Sequence, residues 1–394
     1  MSSLLEVFFQ FFALGCTSFG GPVAHLGYFH ERFVQREQWL SADAFTDLVA
    51  LCQLLPGPSS SQLGMGIGLI RAGWLGGLVA WVGFTLPSAV LMVLAAGLLS
   101  AQPAWLAGGW VDGLLVAAVA VVAQAVLSLQ QKLASDRERA SLMALSAVLV
   151  LLVPHAWAQL LALLLGGIVG LLALTPPDHE PLQSNRLVVP LSRSAGLGFL
   201  GLLLLLLLAL PWLSDADRPL VMQQLSAFLR TGALVFGGGH VVMPLLEHSL
   251  VPQGWIGLDQ FLVGYGAAQA VPGPMFSFAA FLGFDLQDGL HGLAGALMAL
   301  TALFLPSFLL IGGVLPFWSV LGRLRMMRRA LFGINAAVVG ILLAALFQPI
   351  WQSAILGRAE FSLAITAFLL LVCWKQPAWR VVMLCAVVGG LVFT

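Results

Sequence analysis

Apolar residues in this chain gather into runs long enough to cross a bilayer core of about 30 Å. Leu5–Phe19, Phe45–Ile67, Trp74–Leu99, Trp105–Leu127, Ala140–Val153 and Trp157–Leu174 form a first set of six. A polar, proline-bearing segment, Thr175–Ser194, leads to Gly196–Trp212, which carries no polar side chain between Gly201 and Leu210 and reads as a lipid-facing tether. Leu220–Phe236, Phe261–Phe284, Leu293–Trp318, Leu331–Ile350, Phe361–Cys373 and Trp379–Val392 form a second set. The pattern predicts an all-α polytopic integral membrane protein of about 13 spans. The pairs within Ala140–Leu174 and Phe361–Val392 are short, turning at Pro154 and Pro377.

The two sets repeat each other. Gly15, Phe19, Gly20 and Gly21 recur as Gly232, Phe236, Gly237 and Gly238, and Trp39, Asp43, Phe45 and Gln53 as Trp255, Asp259, Phe261 and Gln269. Pro56-Gly57-Pro58 recurs as Pro272-Gly273-Pro274, and Leu86-Pro87-Ser88 as Leu305-Pro306-Ser307. Matches in one order at a nearly constant displacement predict a duplicated unit, residues 1–174 and 220–394, joined by a linker span within 175–219. The first spans of the two units are an odd number of spans apart, so inverted repeats follow. Parity is the same whether the first two segments of each unit cross fully or form a re-entrant hairpin.

Charge placement orients this arrangement. The side holding the N-terminus collects Arg71, Lys132, Arg137, Arg139, Arg186, Arg193, Arg323, Arg325, Arg328, Arg329, Lys375 and Arg380, against Arg32, Arg36, Arg218 and Arg358 on the other. Arg230 alone falls inside a span. Basic residues favour the cytoplasmic face, which predicts a cytoplasmic N-terminus and an outside C-terminus.

Composition narrows the classes. The chain of 394 residues is 60% hydrophobic and 9% charged, with a mean hydropathy of +0.99, far from a soluble domain. Its 17 Lys+Arg balance 17 Asp+Glu, leaving no basic face for nucleic acid. Cys16, Cys52, Cys373 and Cys385 lie singly in apolar stretches, so neither a disulfide framework nor a metal site is expected. The start, MSSLLEVFFQFF, has no basic n-region and carries Glu6, and is read as part of the mature protein. His30-Glu31 lacks the second histidine of HExxH, and neither a GxSxG elbow nor a P-loop occurs, so no enzyme is expected and no cofactor is called for.

The chemistry concentrates near the start of each unit. Thr17-Ser18-Phe19-Gly20-Gly21-Pro22 ends the first run early, and Pro56-Gly57-Pro58 interrupts the next before Ser59, Ser60, Ser61 and Gln62 open a half-helix. Paired breaks at corresponding places in two repeats point to a transporter's substrate site; close helix packing is the plainer reading. New helix N-termini at Pro22 and Pro58, with hydroxyls beside them, suit an oxyanion. Arg230, a turn and a half before Phe236-Gly237-Gly238-Gly239-His240, is expensive in lipid and is either an anion partner or a snorkelling residue. His25 and His240 are proton-coupling candidates or fixed hydrogen-bond partners. Asp47 is a proton site or a helix cap, and Glu31 a proton site or the surface partner of Arg32.

At these residues the chain resembles the chromate ion transporter family. The carrying strings are LGCTSFGGPVAHLGYFHERFVQREQWLSADAF, ALCQLLPGPSSSQLGMGIG and AWVGFTLPSA, with GALVFGGGH and AVPGP in the second half. The resemblance implies a two-unit carrier that exports chromate from bacteria with help from the proton gradient and confers resistance. Its motif residues map onto Gly20, Gly21, Pro22, His25, Arg32, Trp39, Gln53, Pro56, Gly57, Pro58 and Arg71. The second copy departs: Gly239 replaces Pro22, Met275-Phe276 replaces Ser59-Ser60, and Pro252 or a near neighbour replaces Arg36. An anion is therefore expected nearer the first copy, with Arg230 and backbone at Gly238, His240, Pro272, Gly273 and Pro274 contributed by the second, and Arg71 as the alternative cation. The expected partners are chromate or a related oxyanion, protons and the lipid bilayer, with a homodimer left open; a sulfate carrier is the runner-up.

Overall fold

In an apolar medium every backbone N–H and C=O must find a partner inside the protein, and a helix pairs them within one segment. The computed structural model describes residues 3–19, 21–101, 108–153, 157–174, 192–235, 242–318 and 325–393, and all regular structure among them is helical. In the first half the helices are α1 (Ser3–Thr17), α2 (Gly21–His30), α3 (Ala42–Leu54), α4 (Ser59–Ala101), α5 (Gly109–Leu133), α6 (Arg137–Leu152) and α7 (Trp157–Ala173). The leucine-rich linker helix is α8 (Arg193–Leu213). The second half contains α9 (Leu220–Leu234), α10 (Val242–Leu250), α11 (Leu258–Ala270), α12 (Phe278–Phe284), α13 (Gly292–Val314), α14 (Arg325–Ala345), α15 (Arg358–Val372) and α16 (Ala378–Val392).

Among the described residues, five helices are long and apolar enough to cross a membrane: Ser59–Ala101, Gly109–Gln131, Arg193–Leu213, Gly292–Phe317 and Arg329–Ala354. Ser3–Thr17, Leu161–Ala173, Met275–Phe284 and Ala378–Val392 are shorter apolar helices. Only 11% of the most apolar window of α8 is buried, as expected of a lipid-facing tether.

The expected breaks are present. α1 stops at Thr17 before α2, α3 stops at Leu54 before α4, and α11 stops at Ala270 before a short 3-10 turn, Met275–Ser277, that leads into α12. One join differs from the sequence pattern. The half-helix after Pro58 and the run from Trp74 form one element, α4, bent at Ala72 (φ −144°, ψ 24°) and Gly73 (φ +67°). In a straight helix residues eight apart are separated by about 12 Å, yet Gly68 and Gly76 are so close that a Cβ on either would overlap the other's carbonyl. α4 therefore doubles back.

Packing divides the chain into two compact units, each drawing on both halves of the sequence. The first comprises Met1–Val93, Asp178–Val242 and Pro272–Leu324; the second comprises Leu94–Pro177, Met243–Val271 and Arg325–Thr394. In the first unit α1 crosses α4 at Gly15, where a Cβ would lie 2.6 Å from the Phe84 carbonyl. Likewise α9 crosses α13 at Gly232, where a Cβ would overlap the Leu303 carbonyl. Stacked and edge-on rings of Phe11, Phe29, Phe33, Phe84 and Trp39 fix α2 against α1 and α4.

In the second unit α5 is the central helix, packed by α11, α14, α15 and α16, while α14 also lies against α6 and α7. Gly113 faces the Cys385 carbonyl and Gly340 the Met143 carbonyl at contacts too close for a side chain. Small residues let helices approach where lipid supplies no hydrophobic drive. The α5–α6 corner is tied by Asp136, whose carboxylate caps α6 at the Arg139 N–H (2.8 Å) and pairs with the Arg139 guanidinium. Arg139 also donates to Leu133 O (3.2 Å) and Ser135 Oγ (2.9 Å) and covers the Phe332 ring at 4.2 Å. Slight burial pushes the Asp136 carboxyl up, but the Arg139 hydrogen bonds outweigh it and hold the group below the usual carboxylate range.

Two expectations follow. Gly232→Ala should force α9 off α13 and cost about 1–3 kcal/mol, read as a lower melting temperature in detergent, whereas Gly198→Ala, with open space around it, should melt at or above wild type. A depressed carboxyl stabilises the fold above its unfolded-state pKa, and that contribution disappears as pH falls through the folded value. Asp136→Asn should thus melt below wild type at neutral pH, with the gap closing on acidification through and below the carboxylate range; a gap independent of pH would contradict this origin.

Candidate functional site

Two glycines in the left-handed region organise the first unit. Gly57 (φ +126°) donates its N–H to Val235 O at 2.6 Å, and Gly273 (φ +91°) donates to Ser18 O at 2.9 Å. Gly57 and Gly273 are the centres of the two Pro-Gly-Pro breaks, and Ser18 and Val235 follow the ends of α1 and α9 at corresponding places in the two copies. Each copy's break is thus held by the other copy's helix end. The contact extends to the repeated Leu-Pro-Ser: a Cβ on Gly57 would overlap Ser307 Oγ, and one on Gly273 would come within 3.0 Å of Ser88 Oγ.

Around Gly57 several buried polar groups are left without partners among the described residues, the Gln62 Oε1 acceptor as well as hydroxyls. The first intrahelical bond of α4 runs from Gln62 N–H to Pro58 O (2.8 Å), so the N–H groups of Ser59, Ser60 and Ser61 precede the ladder. The hydroxyls of Ser61 and Ser307 are buried and have no hydrogen-bond partner among the described residues. Gln62, fully buried, braces the turn by donating Nε2–H to Pro56 O at 2.6 Å. Around Gly273 more is already committed: Ser277 N–H bonds Pro274 O (3.0 Å), and Ser88 Oγ donates to Thr85 O (3.0 Å). The Ser18 and Ser277 hydroxyls there are buried and unpartnered among the described residues.

His25, with no exposed surface, bridges the two breaks. Its Nε2 is 3.3 Å from Ser18 O, the carbonyl that also takes Gly273 N–H, and its Nδ1 is 3.3 Å from Ser60 Oγ on the first turn of α4. Phe84 meets the ring edge-on at 5.2 Å.

The remaining expected residues fall in three groups. Thr17 is exposed and its hydroxyl bonds back to Ala13 O at 2.8 Å, and Gln53 is exposed on α3, so neither joins the cluster. Arg71 is paired with Glu6 at 3.1 Å and stacks over Trp39 at 4.9 Å, while Glu31 pairs with Arg36 rather than with Arg32, which engages Gln10 and Glu37. Asp47 is buried within α3, whose cap is Ser41 accepting from Ala44 N–H at 3.2 Å; a capping role for Asp47 is therefore replaced by a buried carboxylate in the helix body. Arg230 is half-buried on α9. Gly21 and Pro22 open α2. Gly20, Gly238 and His240 lie outside the described residues. Sequence reasoning left Ser61, Ser277 and Ser307 out of the candidate site, although the signal was there: Ser61 follows Ser59-Ser60, Ser277 is the one hydroxyl of the second copy aligned with it, and Ser307 closes the repeated Leu-Pro-Ser. No group of three or more metal-ligating side chains occurs among the described residues.

The family model described as chromate transporter matches residues 5–171 and again residues 222–390. The chain belongs to the chromate transporter family. It is 28% identical to the chromate transport protein of Cupriavidus metallidurans over 396 residues, covering 99% of this chain and 93% of the relative. A probable chromate transport protein of Synechococcus elongatus is 29% identical over 98% of this chain and 95% of its own. The chromate transport protein of Pseudomonas aeruginosa is 28% identical over 98% and 92%. No solved structure matches the chain. With its apolar helices, this membership makes the molecule a multi-pass membrane transport protein and not an enzyme.

Proposed function

We propose that this protein exports chromate from the cytoplasm using the proton-motive force, so conferring resistance, and that the dianion binds at the first break, on the N-terminus of α4. The observation that carries the reading is the donor set around Gly57: the first-turn N–H groups of α4 and the unpartnered hydroxyls of Ser61 and Ser307. Helix N-terminal N–H groups with hydroxyls beside them suit an oxyanion. The names borne by three relatives of nearly full coverage favour chromate over sulfate, a tetrahedral dianion of similar size.

Neutral donors restore only part of the solvation a dianion loses on leaving water, so a full positive charge is needed nearby. Arg230 supplies it: by helical rise it stands about 7–8 Å along α9 from Val235, whose carbonyl holds Gly57. The α2 N-terminus at Pro22 helps orient the anion. Among the described residues of this unit, His25 and Asp47 are the buried imidazole and carboxyl groups, and they are the candidates for a coupled proton.

The same reading places thirteen crossings in two inverted units, with the N-terminus cytoplasmic and the C-terminus outside the inner membrane. Its support is the sided distribution of basic residues, the double family match and the reciprocal Gly57 and Gly273 contacts, which a two-fold relation between copies would generate. Reporter fusions should read cytoplasmic at residue 1 and outside at residue 394; two cytoplasmic termini would remove the inversion.

Everted membrane vesicles should take up labelled chromate, lose that uptake when the proton-motive force is collapsed, and resist competition by excess sulfate. Arg230→Gln should abolish uptake at unchanged membrane abundance, with Arg230→Lys retaining part of it. Ser61→Ala should weaken chromate binding roughly tenfold or more, as for a lost hydrogen bond to a charged group, and Pro58→Ala should be more harmful than Pro274→Ala. Uptake indifferent to the gradient would indicate a passive pathway, and uptake of sulfate in preference to chromate would reassign the substrate.

A further inference from the structure

His25 and Ser60 together do something that neither does alone. A carbonyl oxygen can only accept, so the 3.3 Å contact between His25 Nε2 and Ser18 O places a proton on Nε2. An imidazole with no exposed surface, set among Phe29 and Phe84, is held neutral by burial. Nδ1 of the neutral ring therefore carries a lone pair, and the 3.3 Å contact to Ser60 Oγ can form only if Ser60 gives its hydroxyl proton to the ring. In that state Ser60 turns lone pairs, not a donor, toward the N-terminus of α4, where an anion would sit. A proton arriving at Nδ1 reverses this contact: Nδ1–H donates to Ser60 Oγ, and the hydroxyl proton becomes available to the anion.

We infer that His25 and Ser60 form a proton-controlled donor, so that a proton and the transported dianion bind to the α4 N-terminus in mutual reinforcement. The inference rests on the proposed anion site and deepens it by setting the sign of coupling. Linkage is reciprocal, so the bound anion raises the proton affinity of His25 by the same factor that the proton raises anion affinity. The loaded site then carries one negative charge fewer, which lowers the cost of holding a dianion away from water. One net negative charge still moves outward per turnover, and an interior-negative potential drives it at about 2.3 kcal/mol per 100 mV.

The groups that face the imidazole are the Ser18 carbonyl, the Ser60 hydroxyl and the two phenyl rings. Ionisable groups on the elements packed against α2 are Glu6 on α1, Asp43 and Asp47 on α3, Arg71 on α4, and Glu31, Arg32 and Arg36 in the helical turn that continues α2, with His30 on α2 itself against Phe45. None of these is hydrogen-bonded to the His25 ring among the described residues.

The test is calorimetric titration of the purified full-length protein in detergent with chromate under mildly alkaline conditions, where chromate is wholly dianionic, in buffers of different ionisation heat. Wild type should take up protons on binding chromate, in an amount that grows as pH is lowered toward the end of the range in which chromate is wholly dianionic, with affinity rising in step. His25→Gln, which keeps an amide donor for Ser18 O, should bind with no proton uptake and no pH slope. Ser60→Ala should shrink the ratio of affinities across the pH range, a change that a purely structural serine would not produce, and it keeps the idea open to refutation if His25→Gln does not fold. Proton uptake that persists in His25→Gln, with Ser61→Ala still weakening binding, overturns the coupling alone. Undiminished binding in both Ser61→Ala and Ser307→Ala overturns the anion site and this inference with it.

Discussion

Pro-Gly-Pro breaks leave buried backbone donors outside any helical ladder, and the crossed pairing of Gly57 N–H with Val235 O and Gly273 N–H with Ser18 O answers that constraint. Neither copy can close its own break. The first copy needs the end of α9 and the second needs the end of α1, which explains why the first compact unit takes residues from both halves of the chain. Left-handed backbone at the two glycines aims each N–H across, and the same positions have no room for a Cβ beside Ser307 and Ser88. The two Pro-Gly-Pro strings have a shared structural use, because each break is completed by the helix end that precedes the other.

Within this matched backbone the side chains are unequal. At the first break the opening turn of α4 leaves three N–H groups ahead of its ladder, and Ser61 and Ser307 keep free hydroxyls. At the second, a 3-10 start engages Ser277 N–H, Met275 and Phe276 replace two serines, and Ser88 is bonded to Thr85. One copy thus presents donors while the other chiefly supplies backbone, Ser307 and the helix carrying Arg230. On the proposed reading a carrier's single place for its substrate lies at the first break, and divergence of the copies would set it there without disturbing the backbone pairing.

The surroundings keep that place rigid. Rings of Phe11, Phe29, Phe33 and Phe84 seat α2, and with it His25, against α1 and α4. Glycine contacts at Gly15 and Gly232 bring the helices bearing Ser18 and Val235 close to α4 and α13. The second unit uses the same device at Gly113 and Gly340, and adds a polar anchor at Asp136 and Arg139. Small residues and saturated polar contacts carry much of the cohesion, as expected where surrounding lipid is as apolar as the protein's own side chains.

Much of this was legible in the sequence, because the relevant forces are local. Apolar runs dictate helices, prolines remove N–H donors, and the ends of α1 and α3 fall within two or three residues of the breaks that Gly20-Gly21-Pro22 and Pro56-Gly57-Pro58 announce. The repeats likewise set Ser307 opposite Ser88 and Ser277 opposite Ser61, though the alignment alone does not single these four out as site residues. Pairing across the chain was not legible, since hydrogen bonds between residues more than 170 positions apart, Gly57 with Val235 and Ser18 with Gly273, leave no local signature. The same holds for charges: along the chain Arg71 reads as an alternative cation for the anion and Glu31 as a proton site or the partner of Arg32, yet Glu6, 65 residues from Arg71, and Arg36, five from Glu31, pair with them. Asp47 sits where a cap could be, and only the placement of Ser41 as the cap and of neighbouring helices made it a buried carboxylate. Sequence set which groups would need partners; tertiary structure alone decided which partners they found, because satisfaction of a buried polar group depends on distance in space and not along the chain.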